Sequence, residues 1–332
     1  MDVKLTDTED AFDLPEWRDL LAAARTRHVF ATPEWNRTWW EEFGAGQRLL
    51  VLTFLDPHPV GIAPLMIDPR SGRVGFLADD ENLTDYLGPI VLDADRLPAL
   101  AEALLGYLRE EVPGWRCFDA NCLPVPFGFA EWLVEAADRL GFRFSLDEHE
   151  MTAVLPLPAS WEIYLERLKP KQRHELRRKL RRLERSGGPP RLVTADAHTL
   201  EADLDAYITL HRDSDGLKGK FMVPERATFF ARLARAFLPL GFLSLDFLEA
   251  GGVRLASTFS FSFDGSFYLY NSAYDHAHRD LAPGLALVAL LIKRSIRRGL
   301  GRFDFLRGRE RYKFDLGAEP VPLHAVRISR SR

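Results

Sequence analysis

The stretch from Phe242 to Tyr274 limits the possible folds more than any other part of the chain. Three runs with strand character, Phe242 to Leu248, Val253 to Phe263 and Ser266 to Tyr274, are separated by Gly251-Gly252 and by Asp264-Gly265. Asp-Gly between alternating runs predicts a type I′ turn, whose two central residues take positive φ. The three runs therefore fold back on one another as antiparallel strands. Beyond a polar turn comes Ala282-Pro283-Gly284 and an apolar helix, Pro283 to Arg298. Proline suits its first turn, where a missing N–H costs little, and Lys293, Arg294, Arg297 and Arg298 suit the negative end of its dipole. Gly299 and Gly301 end it, and a strand Arg302 to Leu306, a short helical piece near Glu310 to Leu316 and a last strand Pro322 to Ser329 complete the chain.

Upstream lies a helix whose leucines at 165, 168, 176, 180 and 183 recur at helical steps while its other faces are almost all Lys and Arg. Ser186-Gly187-Gly188-Pro189-Pro190 stops it. A strand Arg191 to Thr194 follows, then helices Leu200 to His211 and Pro224 to Phe237 around a polar link, Arg212 to Lys220.

The first half mixes both periodicities. Pro33 to Glu42 reads as a Trp-rich helix, and Arg48 to Leu55 and Val60 to Ile67 as strands, with two more near Gly72 to Leu77 and Gly88 to Leu92. Helical spacing at Leu97 to Glu111 and Phe129 to Leu140 alternates with strand character at Trp115 to Ala120 and Phe142 to Leu157. The expected class is α+β, with one domain over 1–157 and a second over 158–332. A chain of 332 residues has room for two such cores.

A formal net charge of −4 hides an asymmetry: basic residues crowd Arg167 to Arg185 and Lys293 to Lys313, whereas the first 160 residues are mostly acidic. No run of about 18 apolar residues is free of charge and the N-terminal residues are acidic, so no membrane insertion and a cytoplasmic location are expected. Cys117 and Cys122 lack a second cysteine pair or a nearby histidine, which predicts buried free thiols and no metal site.

The order strand, two helices, three antiparallel strands, helix, strand, short helix, strand is that of the GNAT acyltransferase fold. Trp161, Tyr164, Leu168 and Lys171, Leu210-His211, Pro283-Gly284, Asp304 with Arg307-Gly308, and Tyr312-Lys313 closely resemble the acetyltransferase family associated with CelD and BcsL. That family is related to the FemAB peptidoglycan ligases, which pair two GNAT-like domains. Thr32-Pro33-Glu34-Trp35, Gly61-Ile62-Ala63-Pro64-Leu65 and Thr84-Asp85-Tyr86 resemble the family's first half. The resemblance implies two tandem GNAT-like domains, each a mixed, mostly antiparallel sheet flanked by helices, the first degenerate and the second carrying the acyltransferase site.

It also implies roles. An acyl-CoA thioester as cosubstrate would run along Ser266 to Tyr274, near Asn271 and Ser272, with its pyrophosphate on the helix start Pro283, Gly284 and Leu285. A helix N-terminus offers unpaired N–H groups to an anion. The usual Gln/Arg-x-x-Gly-x-Gly/Ala loop is replaced by His278-Arg279-Asp280-Leu281-Ala282-Pro283-Gly284. Tyr312 is the implied acid for the leaving thiolate, or else a core tyrosine; Asp304 is a candidate base or a partner that holds Arg307 or Lys313; His211 is a candidate base or a helix cap and dipole partner; and Arg307 and Lys313 are cations for phosphate or a developing oxyanion, solvated cations being the alternative. Tyr268, Tyr270 and Tyr274 are expected on one strand face opposite Phe267, Leu269 and Asn271, as core or as acceptor lining. Asp85 and Tyr86 are further acceptor candidates, while the Trp35, Trp39 and Trp40 group reads mainly as core. The acceptor is an amine, small or part of a cell-envelope precursor. The basic helix also admits aminoacyl-tRNA as donor in a FemAB-type ligase, and a non-catalytic binding protein on the same fold is a third possibility.

Overall fold

A computed structural model describes residues 1–24, 27–79, 83–187, 189–213 and 220–330. The chain divides into two compact units, Met1–Met151 with Val321–Arg332, and Thr152–Pro320. Each is a mixed, mostly antiparallel sheet with flanking helices, the tandem GNAT-like architecture.

The first unit contains β1 (Asp2–Thr6), α1 (Pro15–Ala23), α2 (Pro33–Phe43), β2 (Arg48–Leu55), β3 (Pro59–Asp68), β4 (Arg73–Phe76), β5 (Ile90–Val91), α3 (Leu97–Glu111), β6 (Cys117–Pro124) and α4 (Phe129–Arg139). β1, β2, β3 and β4 pair antiparallel in that order, and β4 pairs β6 in parallel. Strand β7 (Arg143–Pro156) carries the chain into the second unit.

That unit contains α5 (Trp161–Arg167), α6 (Pro170–Gly187), β8 (Arg191–Thr194), α7 (Leu200–Arg212), α8 (Pro224–Phe237), β9 (Leu243–Ala250), β10 (Val253–Phe263), β11 (Ser266–Tyr274), α9 (Pro283–Arg297), β12 (Arg302–Arg307) and α10 (Arg311–Asp315). The last strand, β13 (Glu319–Ser329), pairs antiparallel with β6. It was expected to close the second domain. Its register, Leu323 opposite Pro124 through Ser329 opposite Cys117, instead makes it a strand of the first unit. Nothing local in a short alternating strand selects its partner.

The turn chemistry reads as expected. Asp264 and Gly265 have φ of 45° and 68°, both positive, between β10 and β11. The basic helix, by contrast, is two helices. Pro170 disfavours helical geometry at the residue before it, and the break follows Leu168, whose ψ is 142°. Of the polar link 212–220, residues 214–219 lie outside the described residues.

An apolar cluster of the second unit gathers Tyr164, Leu168, Leu176 and Leu183 with Phe267, Leu269, Phe303, Phe305 and one side of α9. The buried Tyr164 hydroxyl donates to the Leu316 carbonyl at 3.0 Å, which ties α5 to the end of α10. Among the described residues no helix is long and apolar enough to cross a membrane.

Candidate functional site

The site grows out of a pair of strands that separate. β11 and β12 run parallel and pair only at Ser266–Arg302, Phe267–Phe303 and Tyr268–Asp304. β11 continues to Tyr274 and β12 to Arg307, so their second halves leave a notch with main-chain edges beside it. Both strands bend there. Between β10 and β11 the register advances two residues on one strand and three on the other, from Phe259–Asn271 to Phe261–Tyr268. Between β12 and β7 an extra residue falls between Asp304 and Arg307, where Leu306 takes a φ of 59°.

The first bulge corrects the strict alternation expected for the tyrosines. An inserted residue reverses side-chain parity for the rest of a strand. Tyr274 packs with the cluster that holds Phe267 and Leu269, and its ring stands 3.5 Å from a Cβ built at Gly284 on the first turn of α9. Tyr270 lies among Phe230 and Phe261, with ring centroids 5.6 and 5.1 Å away. Tyr268 is fully buried, and its hydroxyl accepts from Arg302 Nη2 at 3.2 Å. Burial pushes the Tyr268 phenol up to about 12, against the pull of Arg302. Tyr268 is thus closed off from an acceptor cleft, whereas Tyr270 is half-buried within its aromatic group.

Asn271 does reach a predicted partner. Its Oδ1 lies 2.9 Å from His211 Nε2, at the last turn of α7. With an amide oxygen as acceptor, Nε2 carries the imidazole proton. His211 is itself 1% exposed and packs edge-on to Tyr207 and tilted against Phe221, whereas Asn271 is half-buried. The pair therefore orients an amide: holding Oδ1 from behind turns Asn271 Nδ2 away from the histidine.

On the other strand Asp304 is wholly buried, and its Oδ1 accepts from Leu306 N–H at 2.9 Å. That bond holds the left-handed backbone at Leu306, so the carboxylate shapes the bend and is out of reach of an incoming amine. Lys313, expected to meet phosphate, is instead 3% exposed and turned inward. Its ammonium donates to Arg307 O at 2.5 Å and Leu306 O at 3.4 Å and pairs with Glu310 Oε2 at 3.0 Å. Arg307 thus contributes its carbonyl to this clamp. Gly308 completes it: at φ 118° its hydrogen faces the Glu310 carboxyl carbon, which a Cβ would meet at 2.9 Å.

Tyr312 sits on α10 directly after the clamp, half-buried, edge-on to Phe305 with centroids 6.1 Å apart. No hydrogen bond reaches its hydroxyl among the described residues. Burial, with a smaller contribution from Glu310, raises this phenol well above its usual value. It stays protonated and remains a donor throughout the physiological range.

The start of α9 follows a left-handed Ala282, φ 52° and ψ 50°, with no side-chain cap. Pro283 has no N–H, so Gly284 and Leu285 supply the first two donors without intrahelical acceptors. Ser272 is half-exposed on β11, across from Thr258 on β10. An extended thioester arm needs open main-chain edges and an anionic tail needs unpaired donors, and the residues at the notch and the α9 start fit both requirements.

In the first unit, Asp85 and Tyr86 are both under a tenth exposed. Tyr86 packs against His28 and Phe30, and Trp35 Nε1 donates to Thr84 Oγ1 at 3.2 Å. The first and third of the three N-terminal motifs thus meet as one packed cluster.

One ion pair escaped the sequence reading. Arg294, expected as a dipole partner at the end of α9, turns inward to Asp246 on β9, with Nη1–Oδ1 2.5 Å and Nη2–Oδ2 2.6 Å. Thr194 and Ser244 complete its hydrogen bonds. The only local sign was a charged residue at an otherwise buried position of an apolar strand.

Residues 170–314 match an acetyltransferase (GNAT) domain. The fold is similar along nearly its whole length to FemX, with a TM-score of 0.65 at 14% identity over 98% of this chain and 97% of that one. It is similar to the C-terminal domain of a putative lysylphosphatidylglycerol synthetase from Agrobacterium fabrum, with a TM-score of 0.59 at 10% identity over 96% and 92%. A tandem GNAT protein from the clavulanic acid biosynthesis pathway aligns with a TM-score of 0.52 at 13% identity over 99% and 98%. No curated protein matches by sequence. The matched residues lie within the second unit, which has the GNAT fold.

Proposed function

We propose that the protein is an N-acyltransferase that moves an acyl group from an acyl-CoA thioester to an amine by direct attack in a ternary complex. The observation that carries this reading is the parting of β11 and β12 beyond Tyr268 and Asp304, with Asn271 on one lip and Tyr312 following the other. The donor supplies an activated acyl carbonyl and a thiolate leaving group. The unpaired main-chain edge of β11 would hold its arm, and the N–H groups of Gly284 and Leu285 would receive phosphate oxygens.

Asn271 Nδ2, oriented by His211, would donate to the carbonyl oxygen as it gains charge, the kind of fixed dipole that contributes most to acyl transfer. Tyr312 would donate a hydrogen bond to the departing sulfur. A phenol with a raised pKa gives up its proton reluctantly, so its part is stabilisation of the thiolate more than complete transfer. Asp304 and Lys313 would act through the backbone, fixing the bend that brings α10 to the notch. This moves His211 and Asp304 from bases to positioning residues; the amine would attack as its free base, the C–S bond would break to release the thiolate, and the proton lost by the nitrogen would pass to solvent.

The acceptor we favour is an amine on a cell-envelope precursor; the fold shared with FemX and with a putative lysylphosphatidylglycerol synthetase domain supports that choice. The test is calorimetry of the purified protein with acetyl-CoA, followed by transfer of radiolabelled acetyl groups to amino-sugar and peptidoglycan-peptide acceptors. Binding followed by labelled amide is the expected result. Absence of acetyl-CoA binding would sink the reading.

A further inference from the structure

We infer that Arg173, Arg177 and Arg181 on α6, with His174, form the anion clamp for the donor's nucleotide phosphates, doing the work of the glycine-rich loop this chain lacks. The inference rests on the acyl-CoA reading above and names the residues that would hold that donor's charged end.

Four residues of helix advance about 6 Å and turn about 40° past a full circle. The three arginines therefore form one stripe roughly 12 Å long. Together with Pro170, His174 and Leu180 they line an open groove of about 540 Å³. Of their neighbours on the helix, Arg178 and Lys179 share one carboxylate: Glu175 holds Arg178 at 2.7 Å and lies 3.7 Å from Lys179. No carboxylate pairs with Arg173, Arg177 or Arg181 among the described residues; the one bond their guanidinium groups make is from Arg181 Nε to the Arg177 carbonyl at 3.3 Å. Three unpaired guanidinium groups side by side repel one another, and a multiply charged anion removes that cost.

The position of the helix selects the anion. Gln172, one residue before the stripe, donates to Asp315 at 3.2 Å on the helix that bears Tyr312. Residues of α6 also pack against the turn His276–Leu281, which runs directly into the start of α9. Helix α6 as a whole thus adjoins both the helix of the acid candidate and the turn that leads into the N-terminus proposed for pyrophosphate. With Pro283 in the first turn, that N-terminus is one donor short. Guanidinium groups bind phosphate in forked pairs and suit the 3′-phosphate and pyrophosphate of coenzyme A.

The test is calorimetry on the full chain with acetyl-CoA and with its dephospho form, which lacks the 3′-phosphate, at 50 and 300 mM salt. The Arg173→Gln/Arg177→Gln/Arg181→Gln variant should bind acetyl-CoA about 10- to 100-fold more weakly and lose most of the salt dependence seen in the wild type. The wild type should prefer acetyl-CoA over the dephospho form, and the variant should not. Arg178→Gln/Lys179→Gln, which removes equal-signed charge from the Glu175-paired face, should stay within about threefold of the wild type. Should the triple variant fold poorly, the exposed single change Arg177→Glu carries the same test. Wild-type binding with an unchanged triple variant, or equal losses in the control variant, overturns the clamp while leaving the acyl-CoA reading standing. No wild-type binding removes both. Tighter binding of unacylated tRNA than of acetyl-CoA, lost in the triple variant, reassigns the stripe to RNA and overturns the proposal.

Discussion

His211 Nε2 lies 2.9 Å from Asn271 Oδ1, joining the last turn of α7 to the half of β11 that β12 no longer covers. One residue of the pair is sealed among aromatic rings and the other is half-exposed, so in the proposed site the amide would be the one to meet a substrate. The histidine would then decide which end of the amide faces outward.

Asn271→Ala is expected to lower kcat by about 100-fold or more, the usual loss for one donor to a developing oxyanion. His211→Phe keeps the ring contacts and deletes the donation, so kcat should fall by about tenfold with the donor KM little changed. His211→Gln, whose amide can donate to Oδ1, should recover part of that loss. Steady-state kinetics of the three variants check this; a donor KM effect without a kcat effect would contradict the assignment.

Tyr312→Phe removes one hydroxyl and retains the contact with Phe305. Turnover should drop by about 100-fold while acetyl-CoA affinity, read by calorimetry, stays within a few-fold. An unaffected turnover number would show that the thiolate leaves without help from this phenol.

Lys313→Met strips the Leu306 and Arg307 carbonyls of a shared donor in a buried site. The expected cost is about 1–3 kcal/mol of stability, visible as a lowered melting temperature, with donor affinity little changed. A cation that met phosphate would behave in the opposite way, preserving stability and losing affinity.

Asp246→Ala leaves the Arg294 guanidinium buried without its carboxylate, and breaking one side of such a pair costs about 3–5 kcal/mol. Chemical denaturation should show this loss. Replacing both partners, Asp246→Leu with Arg294→Met, should recover much of it, because the penalty is an unpaired buried charge more than a lost attraction.

Stability should decline in alkali. A phenol whose folded value is about 12, against an ordinary value of 10, stays protonated in the fold after it has ionised in the unfolded chain. Its contribution is complete below pH about 10 and is lost as pH rises towards 12. Circular dichroism across that window should show the decline, and Tyr268→Phe should flatten it by up to about 3 kcal/mol.

Local chemistry was legible where it was self-contained. The positive φ values at Asp264 and Gly265, the proline-led start of α9 and the antiparallel meander all follow from turn and capping preferences written over a few residues. The break at Pro170 was equally local and was overlooked because the leucine spacing carried through it. The bulges were not legible, since an extra residue in a strand shows only against its partner. The one between β10 and β11 accounts for the misplaced Tyr274 and for the pairing of Asn271 with the side that holds His211.

The sequence by itself determined most of the element types and the tandem α+β order, and it offered His211, Asn271, Asp304, Tyr312 and Lys313 among its candidate site residues. Tertiary structure alone decided their parts, because a part depends on which side chains meet and which meet solvent. Lys313 faces three oxygens inside the fold, Asp304 spends its carboxylate on Leu306 N–H, Arg294 finds Asp246 across 48 positions of sequence, and β13 joins β6 rather than the strands before it. Spacing along a chain has no term for such distant partners; only the closing of the sheet supplies it.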